Sequence, residues 1–234
     1  MASLAIDPLN LIRVMPAKGR RDEASSHEAI PTFLARKIRM KTESNPDTLA
    51  QRSIGLSPRR ESLRIKLLSE VAVMVALSGA LYLVKVFTLP QGGSITLASM
   101  VPVFLLALRR GPKIGIAAGV IFGLVALVED VSSGFEVIVF PTQVILDYPL
   151  AFGVLGLAGF FRDSPLLGVV IGVAARFCSH FVSGILFFAS YAPVGMSAYE
   201  YSAIYNGSFL LPELVIATII MFGLVRAKAL QLYL

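Results

Sequence analysis

Three ionisable residues, Asp147, Arg176 and His180, stand inside stretches that are otherwise almost wholly apolar. A charged side chain in hydrocarbon costs about 3 kcal/mol or more, so residues of this kind pair with one another or serve a ligand. Asp147 can accept hydrogen bonds from an amine or offset an organic cation; the competing reading is a structural pair with Arg176 or a nearby tyrosine. Arg176, His180 and Gly184 recur every four residues and therefore share one helix face, which Gly168 and Gly172 extend. The imidazole of His180 either meets a ligand ring or is satisfied by a neighbouring carbonyl. Glu213, directly after Pro212, is a weaker case, and Glu70 reads as interfacial. Asn206 in isolation reads as a helix cap. Together with Asp147, His180, Phe188 and Tyr201 it reads as part of a binding wall. An acid, an imidazole, an amide and aromatic faces suit a flat, nitrogen-rich cation, because aromatic faces attract positive charge and a few placed polar groups fix orientation.

Other chemistries are poorly served. Ser179 and His180 are sequence neighbours, so on a helix they point apart and make no nucleophile–base pair. Neither a Walker motif nor His-Glu-x-x-His nor Gly-x-Ser-x-Gly occurs. The one cysteine, Cys178, allows no disulfide or multi-cysteine metal site within the chain. The expectation is a protein that is not an enzyme, needs no cofactor or metal, and hydrolyses no ATP itself.

The elements that must position these groups are membrane helices. Of the 234 residues, 56% are hydrophobic, and the mean hydropathy is +0.75. Six apolar segments are candidates for spanning: 67–87, 96–109, 113–129, 141–161, 165–189 and 206–227. The second is short, and Pro102 predicts that it is broken or tilted. The fold class is all-α, a polytopic membrane protein with six transmembrane helices. Arg59, Arg60, Arg64 and Lys66, then Arg109, Arg110 and Lys113, then Arg162, then Arg226 and Lys228 fall on one side. Glu129, Asp130, Glu136 and Glu200 fall on the other, with only Lys85 near them. By the positive-inside rule both termini are cytoplasmic.

Residues 1–66 hold 13 of the 21 Lys/Arg and 7 of the 15 Asp/Glu. The basic balance therefore belongs to the N-terminal segment and gives no nucleic-acid-binding face. Residues 1–62 read as a disordered basic tail, and 63–234 as the membrane domain. Residues 90–95 form a Gly-rich outer turn. Residues 187–205, with four tyrosines and no Lys or Arg, read either as an interfacial belt or as an aromatic lid. Ala72 and Ala76 in the first span form a small-xxx-small pair, which serves packing within the domain or docking of another membrane subunit.

Four stretches carry a resemblance: QGGSITLASMVPVFLLALRRGPKIG (91–115), QVILDYPLAFGVLGLAGFFR (143–162), RFCSHFVSGILFFASYAP (176–193) and YSAIYNGSFLLPE (201–213). In this order and spacing, over residues 63–228, the chain resembles the thiamine-specific substrate-binding membrane subunit, or S component, of energy-coupling-factor transporters, the ThiT family. The resemblance implies capture of thiamine at the outer membrane face, with a membrane coupling protein and two cytoplasmic ATPases as partners. It implies ligand contacts from Asp147, Tyr148, Arg176, His180, Phe188, Tyr201 and Asn206, and docking of the coupling protein on Ala72 and Ala76. The chain has no tryptophan for the ligand cage. It also has no acid near the short second helix, where Gln91 or Thr96 stands in. The alternatives are the same architecture serving another vitamin or a thiamine precursor, a stand-alone secondary transporter, and an intramembrane enzyme using Asp147 and His180.

Overall fold

The computed structural model describes residues 58–134 and 140–231. Five helices are long and apolar enough to cross a bilayer. They are α1 (Pro58–Tyr82), α3 (Pro112–Ser133), α4 (Pro141–Phe160), α5 (Pro165–Phe187) and α6 (Ala198–Arg226). Between α1 and α3 lie an antiparallel hairpin, β1 (Lys85–Thr88) and β2 (Ser94–Thr96), and the short helix α2 (Val101–Arg110). The domain is helical and membrane-embedded, but the all-α expectation omitted this hairpin. The run Leu83–Phe87, expected at the end of the first span, turns and becomes β1, as suits its β-branched and aromatic content.

Prolines set where the helices start. Pro102, Pro112, Pro141 and Pro165 all occupy the first two positions of their helices, where a missing N–H costs nothing. Pro102 thus opens α2 rather than breaking a longer helix. The ten residues of α2 reach about 15 Å, half of a hydrocarbon core about 30 Å thick. Helix α1 starts at Pro58, inside the expected tail; residues 1–57 lie outside the described residues, as does Glu136. Helix α6 starts well before residue 206. A reciprocal capping box fixes its start: Ser197 Oγ accepts from the Glu200 N–H at 3.2 Å, and Glu200 Oε2 accepts from the Ser197 N–H at 2.9 Å. Asn206 therefore lies more than two turns inside α6 and caps nothing.

The core is apolar, with Phe104, Phe122, Phe152 and Leu155 buried, and the surface is apolar too, unlike that of a water-soluble protein. Large apolar side chains such as Leu68, Val128, Leu186, Leu211 and Ile219 face outward, where lipid covers them. With lipid as apolar as leucine, helices associate through close backbone contact between small residues. Gly115, Gly119 and Gly123 of α3 lie against the backbone of α4. A Cβ on Gly119 would sit 2.2 Å from the Phe152 carbonyl oxygen, and one on Gly123 2.5 Å from that of Tyr148. In return, Gly156 of α4 approaches the Ile116 nitrogen.

Helix α4 is itself irregular. Pro149 cannot donate to the helix ladder, and Leu146–Leu150 widens into a π-type turn, while Val154–Phe160 tightens into a 3-10 stretch. Ser179 of α5 donates to the Leu146 carbonyl at 2.6 Å, satisfying a group that the regular ladder would otherwise hold. This turn carries Asp147 and Tyr148. Gly156→Ala puts a methyl 2.1 Å from the Ile116 nitrogen and is expected to cost about 1–3 kcal/mol, read as a lower unfolding temperature in detergent. Gly223→Ala, which meets nothing within 4 Å, is the control; equal unfolding temperatures would refute the packing account.

Candidate functional site

A cavity lies between α4, α5, α6 and the hairpin. Its lining includes Gln91, Asp147, Tyr148, Arg176, His180, Phe188, Tyr201 and Asn206, eight of the nine ligand-contact positions that the sequence suggests. Thr96 is the exception. It is buried, and its N–H and hydroxyl both donate to Glu213 Oε1, at 2.9 and 2.6 Å. It holds the hairpin to α6 and does not line the cavity.

The polar wall is a continuous chain of contacts. Arg176 Nη1 meets Glu213 Oε2 at 3.1 Å, and the two residues are only 4% and 3% exposed. The guanidinium lies over the Phe152 ring, 4.1 Å from its centre, and Nη1 also reaches Met100 Sδ at 3.0 Å. Arg176 Nε donates to His180 Nε2 at 3.3 Å. A guanidinium has only donors, so Nε2 must be the acceptor and the ring proton sits on Nδ1. His180 Nδ1 then donates to Asp147 Oδ1 at 3.0 Å, and Ser183 Oγ donates to Asp147 Oδ2 at 2.8 Å. The suspected Asp147–Arg176 pair is not direct: His180, as neutral imidazole, stands between them.

A second carboxylate closes another side. Asp130, 2% exposed, accepts from Tyr82 at 2.7 Å and Tyr148 at 2.9 Å through Oδ2, and from Lys85 Nζ at 2.5 Å through Oδ1. The sequence reading put Asp130 in an outer loop. It lies instead in the last turns of α3, facing inward. A signal for this was present: Gly119, Gly123, Ala126 and Asp130 follow one another at helical spacing, so Asp130 continues the packed face. Glu70 is likewise more than interfacial, pairing with Arg109 at 3.0 Å and Arg110 at 2.6 Å.

These contacts set the formal charge of the cavity. Arg176 offsets Glu213, and Lys85 offsets Asp130. Asp147 is met by two neutral donors, His180 and Ser183, which leaves one negative charge in excess. Beside it stand aromatic faces. Tyr201 stacks on Tyr205 with centroids 5.8 Å apart, and Phe209 packs edge-on to Tyr205 at 6.0 Å and to His180 at 5.9 Å. Tyr205 and Phe209 were not among the suggested ligand contacts; with the stretch before residue 206 read as loop, their shared face with Tyr201 was hidden, and as helix the three fall on one face.

Close approaches shape the rest. A Cβ on Gly184 would lie 2.2 Å from Ser202 Oγ, and one on Gly93 2.8 Å from the Tyr205 hydroxyl. The Asn206 amide group donates to the Ser202 and His180 carbonyls, at 2.9 and 3.3 Å. What it has left to offer a ligand is the acceptor Oδ1. Gln91 adopts φ 64° in the hairpin turn, an uncommon conformation for a residue with a side chain, and accepts from the Tyr201 hydroxyl at 3.4 Å. Among the described residues, no group of three or more His, Cys, Asp or Glu could hold a metal ion.

Residues 68–233 match the family model for the thiamine transporter protein Thia_YuaJ. The chain is 32% identical to the thiamine transporter ThiT of Bacillus subtilis over 179 residues, 69% of this chain and 91% of that one. It is 33% identical to ThiT of Lacticaseibacillus paracasei over 150 residues, 57% of this chain and 74% of the other. The solved structure of ThiT from Listeria monocytogenes superposes with a TM-score of 0.62 at 27% identity, covering 71% of this chain and 96% of that one. The chain is thus a multi-pass membrane protein of a transporter family rather than an enzyme, and it belongs to the ThiT thiamine transporter family.

Proposed function

We propose that this chain captures thiamine in the cavity from the outer membrane face, as the substrate-binding subunit of an ATP-driven energy-coupling-factor importer. The observation that carries the reading is the single excess negative charge at Asp147, set among aromatic faces. Thiamine carries one fixed positive charge on one flat ring and an amino group on the other. Asp147 offsets the charge or accepts from the amino group, Asn206 Oδ1 accepts a further ligand N–H, and Tyr201 and Phe188 cover the rings. Gln91 closes the hairpin side, Tyr148 and His180 flank the acid, and Arg176 holds His180. Thr96 has no place in this arrangement.

In this reading the hairpin and α2 together complete a sixth crossing, and both ends of the membrane domain are cytoplasmic. Supporting this, the exposed Arg60, Arg64, Lys66, Lys113, Arg162, Arg226 and Lys228 cluster near helix ends that alternate in direction as the positive-inside rule requires. The chain has no Walker motif, so ATP hydrolysis belongs to two cytoplasmic partners, reached through a membrane coupling protein. Ala72 and Ala76 supply its docking surface: both are exposed on α1, with Val73 and Leu77 beside them, and small residues let a partner helix approach closely.

Calorimetric titration of the purified protein with thiamine is the direct test, since no tryptophan is present as a fluorescent reporter. Tight binding is expected, and an affinity weaker than micromolar would overturn the assignment; preference for a thiamine precursor in competition would redirect it. Asp147→Asn should lose roughly 2–4 kcal/mol of binding, and an unchanged affinity would remove Asp147 from the site. Ala72→Leu should bind thiamine like the wild type yet lower uptake by vesicles carrying the whole complex. Normal uptake would refute the docking role.

A further inference from the structure

The hairpin that roofs the cavity is tied to the helices at both its base and its tip. At the tip, the Gly93 N–H donates to the Tyr205 hydroxyl at 2.9 Å, and that hydroxyl donates to the Pro90 carbonyl. At the end of β2, Thr96 is held by Glu213. At the start of β1, Lys85 Nζ meets Asp130 Oδ1 at 2.5 Å, with the side chains 11% and 2% exposed. This last tie is the one formed between full charges across two elements, and at that burial it is weakly screened.

The strand is shaped to make it. Lys85 pairs with Thr96 and Phe87 with Ile95, so the register shifts between them. Val86 is the extra residue of a β-bulge, and bulges re-aim side chains. The result is that Val86 and Phe87 stay outside, at 65% and 56% exposure, while Lys85 turns inward to Asp130. The same carboxylate accepts from Tyr148, next in the chain to Asp147. Hairpin position and the polar wall of the cavity therefore share one acid.

We propose that Lys85 and Asp130 are positioning residues: their ion pair latches the hairpin over the cavity and sets how fast a bound ligand escapes. Asp130 lines the cavity and Lys85 does not, so the hairpin readout below separates the latch from any direct contact of Asp130 with the ligand. The claim about escape rests on the thiamine reading above; the claim about the hairpin does not. A bound ligand leaves only when the roof opens, so a tie that holds the roof down acts on the dissociation rate. Removing Lys85 alone would strand the acid, so the informative variant is the neutral pair Lys85→Met with Asp130→Asn, which keeps an acceptor for both tyrosines.

Two measurements on the full-length protein test this. The first is hydrogen exchange without ligand. The Leu89 amide, bonded to the Gly93 carbonyl at 2.6 Å, and its hairpin neighbours should exchange about tenfold faster in the neutral pair, while core amides of α5 keep their protection. Unchanged hairpin exchange would overturn the latch, whether or not thiamine binds. The second is the release of radiolabelled thiamine into excess unlabelled thiamine. The neutral pair should release about tenfold faster with an association rate within twofold of wild type. Faster hairpin exchange with unchanged release would overturn the proposed control of escape. If wild-type protein binds no thiamine, the functional reading fails and the exchange experiment decides the latch alone.

Discussion

A buried guanidinium must find its counter-charge inside the protein, because removing one partner of such a pair leaves a cost of about 3–5 kcal/mol. Arg176 finds it in Glu213, and much of the domain follows. The second oxygen of Glu213 fixes Thr96 and with it the inner end of β2. The Arg176 Nε donor settles which nitrogen of His180 carries the proton, and that choice turns the imidazole into a donor toward Asp147. Helices α4, α5 and α6 and the hairpin are thus brought into one hydrogen-bonded chain. Asp147 is oriented by neutral groups, whereas Glu213 and Asp130 are met by cations.

That chain works only if α4 presents Asp147 at the right depth. Regular helix would not do it. Pro149 widens the turn, and the glycines of α3 let α4 approach until backbone meets backbone. The irregular segment is tolerated at membrane depth because protein, not lipid, covers it and Ser179 satisfies its carbonyl. Glycine spacing on α3 thereby decides where Asp147 and Tyr148 of α4 fall.

Much of this was legible in the sequence, for reasons particular to membranes. Long apolar runs and the rarity of intramembrane charge made five helices and the candidates Asp147, Arg176 and His180 readable directly. The face shared by Arg176, His180 and Gly184 followed from spacing alone. What could not be read was where apolar sequence stops being helix. Residues 83–87 were read as the end of the first span, yet the helix stops at Tyr82 and Lys85–Thr88 form a strand, and hydropathy does not separate the two. The start of α6 was misread because the polar, tyrosine-rich stretch 198–205 resembles a loop; its Ser197–Glu200 cap was the overlooked mark. Asp130 was misassigned for a related reason. Charge bookkeeping counts an acid near a span end as exposed, and only the packed face of α3 reveals that Asp130 points inward.

The charge balance around Asp147 has an electrical consequence. The empty cavity wall carries one net negative charge, and a monovalent cation seated there makes it neutral. Displacing an elementary charge across a membrane potential involves about 2.3 kcal/mol per 100 mV. On the proposed function, the domain with a cation bound at Asp147 therefore couples less to the field across the bilayer than the domain without one.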